Sequence, residues 1–299
     1  MRMGVFYVRN RVSQKKLGFY GRLCPIPPKP LQFLLGAPFM PIDTFVIVPT
    51  YNEADNLDDL LSQLLALPVH LGAVVVDDNS PDGTGALADE WAQRQTGRVV
   101  VVHRPAKLGL GTAYIAGFKK ALHEVGAERV LTMDADFSHN PRYIPDMIAL
   151  SQRVHVVIGS RYVPGGGTRH CSWQRILLSR GANLLARTLL GLRARDATAG
   201  FRLYRREVLL SIPLDEIFSS GYSFLVEMLF LCQRRGWQIG EVPIIFEDRR
   251  RGTTKISRQE IFKAQYTVFR LFLRRLRGGE PRRPAISVAP LIGNDHRQL

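Results

Sequence analysis

Three short apolar stretches of the chain each lead into carboxylate side chains. The carboxylates are Glu53 after residues 46–49, Asp77 and Asp78 after residues 74–76, and Asp134 and Asp136 after residues 130–133. Short β-branched stretches bounded by polar loops are typical of buried parallel strands. Ligands of open α/β sheets bind in the crevice at the carboxyl ends of the strands, so we expect the three sets of carboxylates to meet there. Such a crevice suits a metal-bound diphosphate and a sugar.

Asp134 and Asp136 are the candidate metal ligands. Alternate residues of an extended segment share a face, so both carboxylates can reach one hard cation, which prefers oxygen ligands. A D-x-D sequence alone is a weak signal, because surface loops often contain one. Its position after an apolar strand, beside two other acidic strand ends, favours a site for Mg²⁺ or Mn²⁺.

The acidic segment that begins at Asp77 has two compatible interpretations. Asp82 and Gly83 suit a tight turn, and Thr84 suits a helix N-cap. Such a turn would hold Asp78, whose carboxylate can accept hydrogen bonds from a nucleobase or a ribose.

The glycine-rich residues 108–111 do not form a dinucleotide-binding fingerprint. Tyr114 stands where the third glycine should be, and the glycines lie several residues beyond their predicted strand. We interpret this segment as a turn and a helix start that place Lys107 near the site.

Cationic residues further along the chain could hold phosphate. Arg175 and Ser179 lie one helical turn apart, so a helix would present both on one face, where with Arg161 they could form a phosphate clamp. Spacing alone favours a solvated helix face for this pair. Arg249 and Lys255 lie in a charged loop, for which surface charge is the simpler interpretation.

The elements that must position these residues alternate between strand and helix from Asp43 onward. The pattern predicts strands over 44–49, 73–77, 98–103, 129–134 and 154–159. It predicts a first helix that begins at Asp55 or Asn56, a second that ends at about Gln95 and a third that begins at about Gly111. Further helices are predicted over 141–151, over 173–190, around Glu227 and over 258–276. Repeated units of this length predict an α/β fold with a Rossmann-like, mostly parallel sheet flanked by helices.

The charge of the chain is concentrated at its two ends. Of the net charge of +15, residues 1–39 carry +7 and residues 270–299 carry +5. We expect an irregular, Pro-rich extension over residues 1–40 that is dispensable for chemistry, a catalytic domain over 41–277 and a disordered tail over 278–299. Basic ends are usually solvated tails, and contact with anionic lipid or nucleic acid is the alternative.

The composition also bears on compartment and partners. The three cysteines are far apart and odd in number, so we expect free thiols and a reducing, cytoplasmic compartment. We expect no transmembrane helix, because no run of about 18 apolar residues is present. We expect no nucleic-acid partner, because the chain lacks a clustered basic and aromatic surface motif.

Together the motifs resemble those of the dolichol-phosphate (polyprenol-phosphate) mannosyltransferases, which are inverting family 2 glycosyltransferases with a GT-A fold. They are residues 49–53 (PTYNE), 77–84 (DDNSPDGT), 107–114 (KLGLGTAY), 134–139 (DADFSH), 159–162 (GSRY), 179–183 (SRGAN), 200–204 (GFRLY) and 240–244 (GEVPI). The first and third occur across many family 2 enzymes, whereas SRGAN together with GFRLY is much more specific. The resemblance covers residues 44–276.

The resemblance implies a role for each motif. The residues that would hold the guanosine of GDP-mannose are Pro49, Tyr51, Glu53, Val76 and Asp78. The residues that would bind the diphosphate, the metal and the mannose are Asp134, Ala135 and Asp136. Further contacts to the donor or its phosphates would come from Arg161, Arg249 and Lys255, and the phosphate of a polyprenyl phosphate lipid would be held by Arg175 and Ser179. Asp136 and Arg161 are the implied catalytic residues.

Two features depart from the family pattern. Ser138 stands where some members place a metal-ligating glutamine. Some members carry transmembrane helices after the catalytic domain, whereas we expect none in this chain. We therefore expect peripheral attachment to the cytoplasmic face of the cell membrane, through an amphipathic surface or a membrane-protein partner.

The last predicted helix carries an apolar stripe that suits an anionic membrane surface. The stripe contains Phe262, Tyr266, Phe269, Leu273 and Leu276, and it is flanked by Lys263, Arg270, Arg274 and Arg277. A terminal helix that packs on the domain with its arginines in water is an equally good interpretation of the pattern.

The expected reaction is the inverting transfer of mannose from GDP-mannose to a polyprenyl phosphate. A phosphate monoester, with a second pKa of about 6, is already largely ionised at neutral pH and needs little help from a base, for which Asp136 is the candidate. The alternatives are a UDP-glucose-dependent polyprenyl-phosphate glucosyltransferase, a family 2 transferase with another acceptor, and a non-enzymatic basic module that binds RNA. The last leaves the acidic strand ends unexplained.

Overall fold

The computed structural model describes residues 42–221, 223–248 and 258–277. The predicted extension (residues 1–40), the predicted tail (residues 278–299), Arg249 and Lys255 lie outside these residues. Within the described ranges, no helix is both long enough and apolar enough to span a bilayer.

The described residues form nine strands and eight helices, together with two short 3₁₀ turns. The strands are β1 Thr44–Thr50, β2 Leu71–Asp77, β3 Val99–His103, β4 Arg129–Thr132, β5 Val156–Ser160, β6 Gly167–Arg169, β7 Arg202–Arg205, β8 Ile239–Pro243 and β9 Ile245–Glu247. The helices are α1 Ala54–Leu65, α2 Thr84–Arg94, α3 Leu110–His123, α4 Ile144–Ser151, α5 Trp173–Leu190, α6 Arg206–Ser211, α7 Ser223–Arg234 and α8 Arg258–Leu276.

Seven strands form one sheet in the order β3-β2-β1-β4-β7-β5-β8. All neighbours run parallel except β7, which is antiparallel to both β4 and β5. Strands β6 and β9 form a separate parallel pair. The predicted α/β class with a mostly parallel sheet is therefore confirmed. Because β1 lies between β2 and β4, the three acidic strand ends are neighbours at one edge of the sheet.

Alternate residues of each strand point to opposite sides of the sheet, and helices cover both of these faces. Ile47 belongs to the apolar cluster that contains α3 and α7. Its neighbours Val46 and Val48 belong to the cluster that contains α1 and α4. Buried faces on both sides explain the continuous β-branched stretches in the sequence.

One predicted strand is shorter than expected. The sequence pattern predicts a strand over 129–134, but β4 ends at Thr132, the last residue paired with β7. The Thr132 hydroxyl donates a hydrogen bond of 2.7 Å to the carbonyl of Gly200. The chain then leaves the sheet and bends, which determines where the following carboxylates lie.

Helix α3 lies close to the sheet, and Gly117 makes this approach possible. A Cβ atom on Gly117 would lie 2.3 Å from Cγ2 of Ile47 and 3.2 Å from Cγ2 of Val76. Both contacts are with fully buried side chains, so neither neighbour has free space into which it can move.

We expect Gly117→Ala to lower the free energy of unfolding by about 1–3 kcal/mol, because the added methyl group overpacks the contact between α3 and β1. Gly181→Ala in α5 is the matched control, since a Cβ atom there meets no atom within 4 Å. The control should be neutral or more stable by up to about 1 kcal/mol, because alanine favours helix over glycine. Urea denaturation of the two variants measures the difference, and equal stabilities would contradict this account of the packing.

Candidate active site

A cavity of about 580 Å³ lies at the carboxyl ends of β4 and β5. Five residues that the sequence singles out line it together, namely Asp134, Asp136, Arg161, Arg175 and Ser179. The rest of its wall is mostly apolar, and much of it comes from α5, α7 and α8, including Ile176, Leu177, Leu185, Val226 and Val268. The cavity therefore joins carboxylates, guanidinium groups and an apolar surface in one space.

The loop after β4 places the two carboxylates in a way that the sequence did not indicate. Asp136 lies in a bend and not on an extended strand, so the predicted alternation along a strand is wrong. Phe137 has a φ of 61°, in the left-handed region. The Ser138 N–H donates a 3.0 Å hydrogen bond to Oδ1 of Asp136. Loop geometry, and not strand pleat, brings both carboxylates to the cavity.

The two carboxylates differ in their surroundings. Asp134 is partly exposed and its Oδ1 accepts a 3.2 Å hydrogen bond from the hydroxyl of Tyr114, a buried residue of α3. Asp136 is buried. Beside them the hydroxyl of Ser138 is buried and has no hydrogen-bond partner among the described residues.

These oxygens fit a hard divalent cation. Two carboxylates and an unpaired hydroxyl are the donor types that Mg²⁺ and Mn²⁺ prefer. In the described part of the chain, no group of three or more His, Cys, Asp or Glu side chains could hold a metal ion. The protein would thus supply few ligands, and the remaining positions would fall to phosphate oxygens and water, as is usual for Mg²⁺.

Arg161 is held by a bidentate ion pair with Asp196. Nε and Nη2 of Arg161 each lie 2.8 Å from a different oxygen of Asp196, and the backbone N–H of Arg161 donates to the same carboxylate at 3.0 Å. Nη2 also donates to the hydroxyl of Thr198 at 2.7 Å. Burial alone would raise the pKa of Asp196, but the hydrogen bonds and charge of Arg161 outweigh it and hold that pKa below its ordinary value of 3.8.

The three residues of the predicted phosphate clamp line the same cavity, and each has a protein partner. Arg175 forms an ion pair with Asp248, and the hydroxyl of Ser179 lies 2.9 Å from the hydroxyl of Tyr162. The guanidinium carbons of Arg161 and Arg175 lie 5.5 and 5.9 Å from the ring centroid of Phe246. One aromatic ring therefore borders both cations.

Asp78, the predicted nucleotide contact, forms a buried ion pair with Arg104. The closest nitrogen and oxygen atoms lie 2.8 Å apart, and both side chains are almost fully buried. Burial raises the pKa of Asp78, although the charge of Arg104 opposes the rise. Arg104 also donates a 2.6 Å hydrogen bond to the hydroxyl of Thr112. The pair thereby ties the end of β2 to the start of α3.

The other predicted nucleotide contacts lie at the ends of β1 and β2. Nζ of Lys107 lies 3.9 Å from the ring centroid of Tyr51, which confirms that Lys107 is near this region. Glu53 accepts a 2.8 Å hydrogen bond from the side chain of Asn56. The Val76 side chain is fully buried in the core, so it can shape a nucleotide site only through its backbone.

Hydrogen bonds connect the polar loops around these residues. Asp77 accepts hydrogen bonds from the hydroxyls of Thr50 and Ser80, at 3.0 and 2.6 Å, and Asp82 accepts one from the N–H of Thr84 at 3.1 Å. The turn interpretation of this segment is confirmed. Thr84 is the first residue of α2 and not its cap, which is Gly83 with a φ of 90°.

Sequence patterns assigned no role to several residues of the site, although three of them lie within the motifs 107–114, 134–139 and 159–162. They are Arg104, Tyr114, His139, Tyr162 and Asp196. All of them except His139 contact a predicted residue on a different element, and a single sequence does not show which elements are neighbours. His139 and Asp134 belong to the same loop, but their spacing does not show that the ring accepts from the backbone.

Comparison with known proteins identifies the family and two close relatives. The model of glycosyl transferase family 2 matches residues 45–212. The polyprenol monophosphomannose synthase of Mycolicibacterium smegmatis is 44% identical over 226 residues, which are 75% of this chain and 85% of that protein. The undecaprenyl-phosphate mannosyltransferase of Micrococcus luteus is 44% identical over 211 residues, which are 71% of this chain and 86% of that protein.

Solved structures share the fold at lower sequence identity. Glucosyl-3-phosphoglycerate synthase from Mycobacterium tuberculosis, in complex with Mn²⁺, UDP and glucosyl-3-phosphoglycerate, has a TM-score of 0.55 and 20% identity, covering 80% of this chain and 81% of that chain. Mannosyl-3-phosphoglycerate synthase from Rubrobacter xylanophilus has a TM-score of 0.54 and 20% identity, covering 82% and 78%. These similarities confirm the expected GT-A fold.

We expect Asp196→Asn to lower the free energy of unfolding by about 3–5 kcal/mol at pH 7, because it leaves the largely buried Arg161 without its charge partner. The folded-state pKa of Asp196 is depressed, so the contribution of the carboxylate is fully present above pH 3.8 and is lost as the pH falls through the lower folded value. The difference in the free energy of unfolding between wild type and variant should therefore become smaller only below pH 3.8.

Urea denaturation at pH 7, 5 and 3 measures the difference in the free energy of unfolding between wild type and Asp196→Asn. Asp215→Asn is the matched control, because Asp215 pairs with Lys119 at the exposed surface. An exposed pair should contribute at most about 1 kcal/mol. Equal losses in the two variants at pH 7 would contradict the role assigned to the Asp196 pair.

Proposed function

The chain belongs to glycosyl transferase family 2, and we propose that it transfers mannose from GDP-mannose to a polyprenyl phosphate with inversion at the anomeric carbon. The observation that carries this proposal is that one cavity joins an acidic loop, a cationic clamp and an apolar wall. The names of the two relatives at 44% identity support mannose as the sugar and a polyprenyl phosphate as the acceptor.

The acidic loop would receive the diphosphate end of the donor. Asp134 and Asp136 line the cavity, and the buried Ser138 hydroxyl beside them is unpaired within the described residues. A Mg²⁺ or Mn²⁺ ion held there would neutralise charge on the departing GDP. Asp136, which is the more buried carboxylate, is held in place by the Ser138 N–H and is the candidate catalytic residue on this side.

The cationic clamp would receive the phosphate of the acceptor. Arg175 and Ser179 lie on α5 and face the same cavity as the acidic loop. Arg161 is fixed by Asp196, so its guanidinium group is already oriented before a ligand binds. An ionised phosphate needs positioning more than it needs a base, and a preorganised cationic site provides that positioning.

The proposed nucleotide contacts are Pro49, Tyr51, Glu53, Val76, Asp78 and Ala135, with Arg249 and Lys255 from the loop outside the described residues. The family resemblance supports these assignments. Lys107, stacked on Tyr51, adds a cation near the nucleotide. Its charge would favour a diphosphate-bearing ligand.

The apolar wall distinguishes this proposal from a family 2 transferase with a soluble acceptor. Ile176, Leu185, Val226 and Val268 border the same cavity as the clamp. A water-soluble acceptor would gain little from such a wall, whereas a polyprenyl chain buries apolar surface against it at roughly 25 cal/mol per Å².

We propose that the chain attaches peripherally to an anionic membrane at its cytoplasmic face. The predicted stripe of α8 faces away from the domain, with exposed fractions from 37% at Leu273 to 69% at Phe262. Thr267, Val268 and Leu271 form the buried side of the same helix. The stripe is therefore unoccupied by the domain's own described core, which favours the membrane interpretation over a helix packed through that stripe.

Helix α5 adds a second apolar surface and further cations. Trp173, Leu177 and Leu184 are 71%, 63% and 60% exposed. Arg180, Arg187 and Arg195 line an open groove beside Leu184. Cations next to exposed apolar side chains are the arrangement of an interfacial surface that meets anionic headgroups.

We expect GDP to bind more tightly than UDP in the presence of Mn²⁺, and GDP-mannose to be consumed when a polyprenyl phosphate is supplied. Calorimetric titration of both nucleotides and analysis of the lipid product test the donor and the acceptor separately. Equal or tighter binding of UDP, with glucose found on the lipid, would favour the UDP-glucose-dependent glucosyltransferase.

We expect Asp136→Asn to reduce turnover by about 100-fold or more while the melting temperature stays near that of wild type, because an amide cannot supply the charge needed at the donor phosphates. Asp146→Asn on α4 is the control, since Asp146 is exposed and lies outside the cavity lining. A steady-state assay at saturating Mn²⁺ measures the effect. Turnover of the Asp136 variant above about a tenth of wild type would remove Asp136 from the catalytic site.

We expect the protein to float with anionic vesicles and to be released as salt rises toward about 1 M, because salt screens the arginine contacts. A Phe262→Ser, Phe269→Ser double variant should bind less, whereas Leu210→Ser on α6 should bind like wild type. Vesicle flotation measures both. Binding that is indifferent to anionic lipid and to salt would contradict the surface assignment, and absence of binding at low salt would favour a membrane-protein partner.

A further inference from the structure

We propose that His139 is a positioning residue for the acidic loop, and that its Nδ1 atom holds the backbone of Asp134 in the metal-binding conformation. The inference deepens the proposed function and rests on it for the metal. His139 lines the cavity with Asp134 and Asp136, although it was not among the predicted site residues.

The hydrogen bond of His139 determines which ring nitrogen carries a proton. The backbone N–H of Asp134 donates to Nδ1 of His139 at 3.1 Å. A backbone N–H is only a donor, so Nδ1 must accept and the ring proton lies on Nε2. Nδ1 also lies 3.9 Å from Oδ2 of Asp134, which is too long for a hydrogen bond. The ring therefore acts on the backbone of Asp134 and not on its carboxylate.

Aromatic contacts hold the imidazole ring in place. It stacks on Phe201 with a centroid distance of 5.2 Å and an interplanar angle of 11°, and the edge of Phe246 approaches it at 5.8 Å. A buried ring between two aromatic side chains has little freedom to rotate.

Gly159 makes room for this stack. A Cβ atom on Gly159 would lie 2.7 Å from Cδ1 of Phe201, whereas a Cβ atom on Gly200 would lie 3.4 Å from Cε1 of His139, which is an ordinary van der Waals distance. The 159–162, 200–204 and 134–139 motifs thus meet at one place. Gly159 leaves space for the ring of Phe201, which stacks on the ring of His139. His139 in turn accepts the hydrogen bond from the backbone of Asp134.

The acidic loop needs such an anchor because it does not belong to the sheet. After β4 ends at Thr132, the turn through the left-handed Phe137 is closed by the bond of Ser138 to Asp136 and by the bond of Asp134 to His139. If the second bond is lost, the backbone of Asp134 can shift, with its carboxylate still bonded to the hydroxyl of Tyr114, while Asp136 stays bonded to Ser138. The distance between the two carboxylates would then no longer suit one cation.

The test compares His139→Asn with His139→Gln. The Oδ1 atom of asparagine can occupy the position of Nδ1 and accept from Asp134, whereas the amide of glutamine extends one methylene further, toward the position of Nε2. Both variants lose the stack on Phe201, so a difference between them reports the Nδ1 bond. Melting temperatures show whether each variant folds.

Two readouts are needed besides turnover. The first is the Mn²⁺ dissociation constant in the presence of GDP, which should be close to wild type in His139→Asn and at least about tenfold weaker in His139→Gln. The second is hydrogen exchange at the Asp134 amide, which should be slow in wild type and His139→Asn and at least about tenfold faster in His139→Gln.

Equal Mn²⁺ affinities in the two variants would overturn the proposal, whether both match wild type or both are weakened, because the Nδ1 bond would then not be what matters. A change in exchange without a change in Mn²⁺ affinity would also overturn it, since the bond would be purely structural. A wild-type chain that binds no Mn²⁺ with GDP would overturn the proposed function, and the exchange pattern would still decide whether His139 anchors the loop.

Discussion

The buried ion pair between Arg161 and Asp196 is the constraint on which the site depends. A guanidinium group in a largely buried position is stable only with a matched carboxylate, and here both oxygens of Asp196 are used. Glu241 of β8 holds the backbone N–H of Asp196 at 3.0 Å, so the pair joins the end of β5 to β8. Because Gly159 of β5 and Ile244, directly after β8, line the cavity, the pair sets the position of the cationic side of the site.

A loop held by hydrogen bonds, and not a buried ion pair, forms the acidic side of the site. Asp134 and Asp136 lie beyond the last paired residue of β4, and their loop is held by Tyr114, Ser138 and His139. Opposite charges thus approach one cavity from separate elements, each with its own support. Such a preorganised arrangement would suit the proposed reaction, in which a phosphate attacks while a diphosphate leaves, because neither partner must be reoriented as charge develops.

The remaining wall of the cavity and the outer surface of the domain share the same helices. α8 and α5 direct Val268 and Ile176 toward the cavity and expose Phe269 and Trp173 on the outside. A helix that is apolar on two sides is costly in water unless a second apolar phase covers it. An acceptor whose phosphate is in the clamp and whose chain lies in a bilayer would use both sides together.

Local patterns in the sequence determined the elements. The bounds of α5 and α8, the strands before the acidic segments, the mostly parallel sheet and the carboxylates of Asp134 and Asp136 could all be predicted, because side-chain periodicity and turn residues act over a few neighbours. Only the tertiary structure decided that Asp78 pairs with Arg104, Arg161 with Asp196 and Ser179 with Tyr162, and that His139 stacks on Phe201. These partners lie on different elements, and long-range packing, which brings such elements together, leaves no periodic trace in a single sequence.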